Sequence, residues 1–208
     1  MSENPYESPQ VPEYFGLSLP PRLTWRHIIG LLFVGVAGGA CLGAVTNAVN
    51  GALSPRYFID VMGWRRETNI WVASILWGIL EGAAFGLAYA FVFMALISFA
   101  SHRRCRFSHA LRYGLVTLAL AFGFWILGGA SGVAYADIFR DRCDHRFFGY
   151  HDEWPSLARY AWVRGSIWGI ESGGFLAVLI TNAHYLLFKR WRCSRGLRNG
   201  RTFWVSSQ

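Results

Sequence analysis

The stretch WVASILWGILEGAAF, residues 71–85, decides the fold of this chain. It is an apolar run that carries one carboxylate, Glu81, far from either end. A second apolar run holds Glu171, 90 residues further along, and each acid is followed four positions later by a phenylalanine. Because a charge in the middle of a bilayer is unfavourable, such acids generally face the interior of a helix bundle. The two runs therefore predict membrane helices that each turn one acid towards the protein interior.

The composition places the chain among membrane proteins. Of its 208 residues, 53% are apolar and only 15% are charged, which excludes an ordinary soluble domain. Four apolar runs exceed the roughly 18 residues at which a bilayer span becomes the leading interpretation. The sequence therefore predicts an all-α membrane protein with four transmembrane helices, arranged as two tandem helical hairpins. The predicted spans are 28–49, 70–100, 113–136 and 161–188.

The segments outside the spans are tails and a connection. The N-terminal tail contains most of the prolines and shows no apolar periodicity, which predicts disorder. The predicted organisation is a disordered Pro-rich cytoplasmic tail over 1–24, a first transmembrane hairpin over 25–101, a basic cytoplasmic loop over 102–112, a second hairpin over 113–188, and a basic cytoplasmic tail over 189–208.

Basic residues predict the orientation of the chain. Twelve of the 20 basic residues lie before the first span, between the second and third, or after the fourth. The positive-inside rule then makes both termini cytoplasmic and turns the 50–69 and 137–160 loops outward. The basic segments are expected to attract anionic lipid at the cytoplasmic face. No nucleic-acid partner is expected, because no aromatic-platform fold accompanies the basic residues.

Glycines recur every fourth residue in the spans and therefore lie on one helix face. Such faces, which resemble glycine zippers, let helix backbones approach closely in lipid. Their number predicts helix packing within the chain and, in addition, assembly into a homo-oligomer or with a membrane protein partner. The packing glycines are Gly35, Gly39 and Gly43 in the first span, Gly78, Gly82 and Gly86 in the second, and Gly165, Gly169 and Gly173 in the fourth.

A shift of the chain by 90 residues superposes rare residue types, which predicts an internal duplication. Trp64 falls on Trp154, Glu81 on Glu171, and Asn47 on Asp137. Because the repeated unit has two spans, both copies would have the same orientation and be related by an axis along the membrane normal. Both acids would then lie roughly 15 to 16 Å from the outer start of their spans. Two facing carboxyls do not both ionise readily, so one or both are expected to be protonated near neutral pH.

Three roles for the intramembrane acids are open. They could form a proton or cation relay in a small transporter, with Asn182 as an added ligand and Trp77 and Trp168 along the route. They could instead be neutral hydrogen-bonding groups that hold helices together. A third possibility pairs Glu171 with Arg164, two turns earlier. The sequence favours a structural or partner-binding membrane component, with a small-solute or proton-coupled transporter as the alternative.

Other polar residues are weaker candidates for a site. Asn47, Asn50 and Asp137 lie near the outer ends of spans, where Asn could orient a ligand but more often caps a helix, and Asn50-Gly51 is typical of a helix stop. Cys143, His145 and His151 have no standard zinc spacing, so no metal is predicted. With no nucleophile, zinc or phosphate-loop motif, the chain is expected to be neither an enzyme nor a cofactor protein.

Two short stretches resemble a bacterial group. NPYESP, residues 4–9, and TNAVNGALSPRYF, residues 46–58, are similar to segments of uncharacterised four-span membrane proteins from planctomycete-type bacteria. The resemblance implies a bacterial integral membrane protein and carries no activity with it. Together with the spans, it leads to the expectation of a multi-pass protein in the bacterial inner membrane.

Overall fold

The computed structural model describes residues 24–65, 69–101, 107–139 and 153–202, and within these ranges it is built of helices. This confirms the predicted all-α class. Most of the predicted N-terminal tail, residues 102–106 of the predicted loop and the Cys143, His145 and His151 cluster lie outside the described residues. The helices are α1 (Trp25–Leu53), α2 (Pro55–Met62), α3 (Ile70–Ser101), α4 (Phe107–Ile138) and α5 (Trp154–Thr202).

Four of these helices are long and apolar enough to cross a membrane. They coincide with the four predicted spans, and each of them presents large apolar side chains at its surface. Phe33, Leu80, Leu127 and Leu187 are each 60% exposed or more. Such a surface is stable in hydrocarbon rather than water, since contact between apolar side chains and water is unfavourable. The chain is therefore a multi-pass membrane protein that contacts the lipid bilayer.

The helices extend beyond the apolar runs. α1, α4 and α5 begin three to seven residues before the predicted spans at 28, 113 and 161, because hydrogen bonding continues a helix through polar and interfacial residues. At the start of α1, the backbone N–H of Thr24 donates to Nδ1 of His27 at 3.3 Å, which satisfies one of the unpaired groups of a helix end. The backbone of α5 runs on to Thr202, into the predicted basic tail.

A short helix that the sequence did not predict follows α1. Ser54 separates the two helices, and Pro55 starts α2 at the position where a missing N–H is tolerated. Gly63 ends α2 in the left-handed conformation that glycine adopts readily. Tyr57 and Phe58 of α2 are buried against the bundle. We call the end of the bundle where this helix lies the α2 end.

The four long helices form two tightly packed pairs, α1 with α3 and α4 with α5, and contacts between the pairs are far fewer. Glycines allow the tight packing. A Cβ at Gly43 would overlap the carbonyl oxygen of Gly78, and one at Gly39 would overlap that of Gly82. In the second pair, a Cβ at Gly128 would overlap the carbonyl oxygen of Gly165. We call these two backbone contacts the glycine seams.

The predicted packing glycines are used in these seams. Gly35 lies against Gly86, Gly169 against the backbone of Phe124, and Gly173 against the Phe124 side chain. The seams therefore account for these glycine faces within the chain, and the faces carry no separate argument for an oligomer.

The seams of the two pairs are not related by a uniform shift of 90 residues. That shift would carry the Gly39–Gly82 contact to Gly129 and Ser172, whereas Gly129 lies against the Trp162 side chain. In the second pair the close backbone contact joins Gly128 and Gly165, so the 90-residue shift does not carry one seam onto the other.

Two apolar clusters close the bundle at its ends. At the α2 end, Tyr57 and Phe58 pack with Leu157, Tyr160 and Val163. At the opposite end, a second cluster contains Leu31, Phe93, Ile97, Ala110 and Val178. The candidate site lies between the pairs, and Leu31, Phe93 and Val178 of the second cluster also border it.

Candidate functional site

A cavity of about 120 Å³ lies between the two helix pairs and is lined by all four long helices. That space accommodates several water molecules or a small organic molecule. Much of its wall is the apolar surface of the seams, but polar side chains from α1, α3, α4 and α5 reach it. The polar lining residues are Thr46, Asn47, Asn50, Glu81, Tyr89, Thr117 and Glu171.

The structure brings the two intramembrane acids to this one cavity. Glu81 lines it from α3 and Glu171 from α5, so each pair contributes one carboxyl. Both residues are half-buried. The Glu81 carboxyl has a side-chain hydrogen bond with Trp77. Both acidic residues therefore border the space between the pairs.

Tyr89 joins the two pairs beside Glu171. Its hydroxyl on α3 donates to the backbone carbonyl oxygen of Glu171 on α5 at 2.6 Å, which leaves the carboxyl of that residue out of the bond. The two tryptophans predicted to line a route do not belong to the lining. Trp77 is 43% exposed and Trp168 is 64% exposed, as expected for side chains at the lipid-facing surface.

Asn50 is the most deeply buried polar group of the cavity lining. It is 1% exposed, and its Oδ1 lies 3.1 Å from the Ser166 hydroxyl of α5, whereas its Nδ2 has no hydrogen-bond partner. α1 does not stop at Asn50-Gly51 but continues to Leu53. Gly51 instead permits a close approach of α1 to α3, since a Cβ there would overlap Ser74 Oγ.

The other predicted polar residues have separate locations. Asn47 is buried in the cavity lining, but Asp137 is exposed near the end of α4, so their predicted equivalence does not bring them together. Asn182 is 5% exposed and donates to the carbonyl oxygen of Val178 at 2.8 Å, while its Oδ1 has no partner. Asn182 is absent from the cavity lining.

Arg164 lies close enough to the α2 end for its charge to act there. Its charge acts on the hydroxyls of Tyr57 and Tyr160, two residues of the cluster that closes this end. Burial raises the pKa of Tyr57 to about 12, although the Arg164 charge lowers it in part and Tyr160, Glu171 and Glu81 raise it. Tyr57 is therefore a neutral hydroxyl at neutral pH.

A polar track that the sequence did not predict leads from the cavity towards the end opposite α2. Thr117 lines the cavity, and its hydroxyl lies 2.9 Å from the hydroxyl of Thr181. One turn further along the same interface, Tyr113 Oη lies 3.2 Å from Nδ1 of His184. Threonine and tyrosine in an apolar span give little signal in sequence, because each also packs as an apolar residue. Only the pairing of α4 with α5 shows that these residues meet.

Metal ligands are not assembled in the described part of the chain. No group of three or more His, Cys, Asp or Glu side chains there could hold a metal ion. The chemistry that the cavity offers is therefore that of two carboxyls, two amides and three hydroxyls, which suits hydrogen bonding, proton exchange and attraction of cations.

Comparisons with known proteins found no matching family model, no matching curated protein and no matching solved structure.

Proposed function

We propose that this protein is a small-solute or proton-coupled transporter whose binding site is the cavity between the two helix pairs. The observation that carries the proposal is that each pair contributes one carboxyl, Glu81 or Glu171, to a single cavity. Acids within membrane helices commonly mark substrate, ion or proton pathways. An acid that served only to anchor a helix would not need a cavity beside it.

The packing of the helices supports movement of one pair against the other. Within each pair the glycine seam brings backbone against backbone, while the pairs contact each other sparsely. Transporters with parallel repeats move one bundle relative to another around a central site. The two pairs are suited to this because each is rigid and the cavity lies at their junction.

The bonds that hold the pairs together also favour transport over a purely structural role for the acids. Tyr89 binds the backbone of Glu171, and Ser166 lies within hydrogen-bonding distance of Asn50. Neutral groups thus supply these connections between the pairs. Neither of these two bonds involves a carboxyl, and the Glu81 carboxyl bonds with Trp77 of its own helix.

A structural or partner-binding component is the second candidate. One observation favours it: Gly123 on α4 has open space where a Cβ would point, with nothing within 4 Å. A second copy of the chain or another membrane protein could bring a helix against this surface, because glycine allows close approach in lipid.

The proposal extends to topology and origin. We propose a location in the bacterial inner membrane with both termini cytoplasmic and with anionic lipid bound by the basic segments, supported by the distribution of arginines and the resemblance described above. We also propose that the two pairs arose by duplication, supported by their shared antiparallel, glycine-packed form. No enzymatic activity is included.

Flux measurements on the purified full-length protein in liposomes test this function. We expect proton-coupled or cation flux in the wild type that disappears in the double variant Glu81→Gln, Glu171→Gln. The matched control is Asp137→Asn, which removes an exposed acid outside the cavity and should leave flux unchanged. Absence of wild-type flux across protons, inorganic cations and small amines would support the structural candidate instead.

A further inference from the structure

We propose that the cavity binds a compact, fully alkylated ammonium ion, a cation whose charge lies beneath an apolar surface of methyl groups. This inference rests on the proposed function of the cavity as a binding site, and it names the class of the ligand. Four features carry it: the size of the cavity, its apolar wall, the hydrogen bonds that its hydroxyl groups already make, and the acids and aromatic rings that line it.

The cavity is small and its wall is largely apolar. Its volume is about 120 Å³. An apolar cavity of about 150 Å³ can hold benzene, so this space suits a compact molecule of roughly that size. Most of the residues that line it are glycine or apolar, among them Leu42, Leu118 and Ile170. Such a wall favours a ligand with an apolar surface, whereas a strongly hydrated ion would lose its water there without replacement.

The hydroxyl groups of the wall have no hydrogen left for a ligand. Thr46 and Thr117 donate to carbonyl oxygens of their own helices at 2.9 Å, and Tyr89 donates to the Glu171 carbonyl oxygen at 2.6 Å. A hydroxyl carries a single hydrogen, so an anion or a carbonyl compound finds no donor on these groups. A fully alkylated ammonium ion needs none, because it neither accepts nor donates an N–H hydrogen bond.

The charge of the lining favours a cation. Glu81 from α3 and Glu171 from α5 border the cavity, and the described residues that line it include no lysine, arginine or histidine. Two carboxylates in a poorly solvated space repel each other, and a cation beside them offsets that repulsion. The lining should therefore bind a cation more tightly than a neutral molecule of the same shape.

Aromatic rings follow the acid along α3. Phe85, Tyr89 and Phe93 come after Glu81 at intervals of four residues, which places them on one side of the helix, and all of them line the cavity. The rings of Phe85 and Tyr89 stack with their centroids 5.8 Å apart. Aromatic rings attract cations, and this attraction is used to recognise quaternary ammonium groups. The combination of acids and rings in one cavity therefore matches an alkylated ammonium ion.

Three small probes separate the charge of this ligand from its apolar surface. Tetramethylammonium has both, tert-butanol has nearly the same shape without the charge, and ammonium has the charge without the methyl groups. The measurement is the binding of radiolabelled tetramethylammonium to the full-length protein in nanodiscs and its displacement by the other two. We expect each of them to bind at least about tenfold more weakly, because tert-butanol is not attracted to the acids and ammonium gives up its hydration to an apolar wall.

Neutral variants of the acids test the charge preference. Glu81→Gln and Glu171→Gln keep the size of the side chain, and each should weaken the binding of tetramethylammonium at least about fivefold. A loss in either variant assigns the charge contact to that acid, and unchanged affinity in both would overturn the inference. Asp137→Asn is the matched control, because it removes an exposed acid outside the cavity lining. It should keep the wild-type affinity within about twofold.

A leucine variant tests the aromatic rings. Phe85→Leu replaces a ring of the lining by an apolar side chain and should weaken the binding of tetramethylammonium about threefold. Phe91→Leu is the matched control, because Phe91 lies on the same helix, is 56% exposed and is absent from the lining. Equal effects of the two substitutions would overturn the role of the rings.

The outcomes distinguish this inference from the proposed function. Equal affinity of the wild type for tetramethylammonium and tert-butanol, or tighter binding of ammonium, would overturn the ligand class. Flux of protons or inorganic cations without binding of tetramethylammonium would also overturn it and would preserve transport. Binding of tetramethylammonium with the expected preferences but without any flux would support the ligand class and contradict transport.

Discussion

The glycine seams within the helix pairs and the junction between the pairs are built in opposite ways. At the seams, backbones lie so close that a single added Cβ at Gly43 or Gly82 would overlap a carbonyl oxygen. At the junction, longer polar side chains such as Tyr89 and Asn50 span a partly open space. Close packing and polar groups are therefore separated in this molecule: the seams hold each pair together, and the junction contains the polar side chains of the cavity.

Substituting a seam glycine should have the largest effect on stability. Gly82→Leu places a branched side chain against the backbones of Gly39 and Gly43, where the helices cannot move apart without losing the rest of the seam. Overpacking of this kind typically destabilises by about 1 to 3 kcal/mol or more. We expect a loss of about 3 kcal/mol or more in the free energy of unfolding, measured by reversible denaturation in detergent micelles.

Gly123→Leu serves as the control for that substitution. Gly123 lies in a spanning helix like Gly82, but nothing lies within 4 Å of where its Cβ would point. The free energy of unfolding of the control should therefore lie within about 0.5 kcal/mol of the wild-type value. Equal destabilisation by both substitutions would contradict close packing at Gly82 as the cause, and helix propensity could not explain it, because Leu favours a helix more than Gly does.

High pH should lower the stability of the protein through Tyr57, at the α2 end of the junction. Since the pKa of Tyr57 is about 12 in the folded protein, against 10.0 for an unperturbed tyrosine, folding favours its neutral hydroxyl. The unfolded chain therefore loses this proton first, and the stabilisation is fully present below pH 10 and declines as pH rises towards 12. On the order of 2 kcal/mol should be lost over that range.

Tyr57→Phe isolates this contribution, because the ring still packs against Phe58 and Tyr160. The free energy of unfolding should fall less steeply between pH 10 and pH 12 in the variant than in the wild type. Parallel curves for the two proteins would mean that Tyr57 is hydrated and that α2 does not seal this end of the junction.

The seams were far more predictable from sequence than the junction. Glycines four residues apart, such as Gly35, Gly39 and Gly43, share a helix face wherever the helix lies, because helix geometry alone fixes this relation. The long apolar runs likewise determine four spanning helices through length and composition. Inward-facing acids follow from the unfavourable energy of a charge in lipid.

The junction is built from contacts between residues that are far apart in the sequence, and no local sequence pattern predicts such contacts. Asn50 meets Ser166, 116 residues away, and Thr117 meets Thr181, 64 residues away. The Asn50-Gly51 pair has the usual composition of a helix stop, yet α1 continues to Leu53 with Gly51 packed against Ser74. The predicted repeat does not give the seam contacts either, since one uniform shift of 90 residues does not reproduce the seam contacts of both pairs.

A smaller effect is expected from removing a bond across the junction. Tyr89→Phe deletes the hydroxyl that donates to the Glu171 carbonyl oxygen at 2.6 Å but keeps the ring stacked on Phe85. Hydrogen bonds between membrane helices average about 0.6 kcal/mol and reach about 1.7 kcal/mol. We expect a loss of about 1 kcal/mol in stability and greater freedom of one pair relative to the other.

Spin-label distances in a cysteine-free background measure that freedom. Leu80 on α3 and Leu127 on α4 are exposed and belong to different pairs, so labels there report on the junction. Val45 on α1 is also exposed and shares a pair with Leu80. Tyr89→Phe should broaden the distances between Leu80 and Leu127 but not those between Val45 and Leu80. Broadening of both would contradict the rigidity of the seams.

The smallest effect should come from a hydrogen bond that crosses a seam. Ser74 Oγ lies 3.1 Å from the Asn47 carbonyl oxygen across α1 and α3, and 2.8 Å from the Trp71 carbonyl oxygen on its own helix. Ser74→Ala removes both contacts, yet each carbonyl oxygen already accepts its helical bond and the smaller side chain still fits beside Gly51. The free energy of unfolding should fall by only about 0.6 kcal/mol. If this substitution destabilised the protein as much as Gly82→Leu, hydrogen bonding rather than backbone contact would be what holds the seam, and the contrast between seam and junction would not stand.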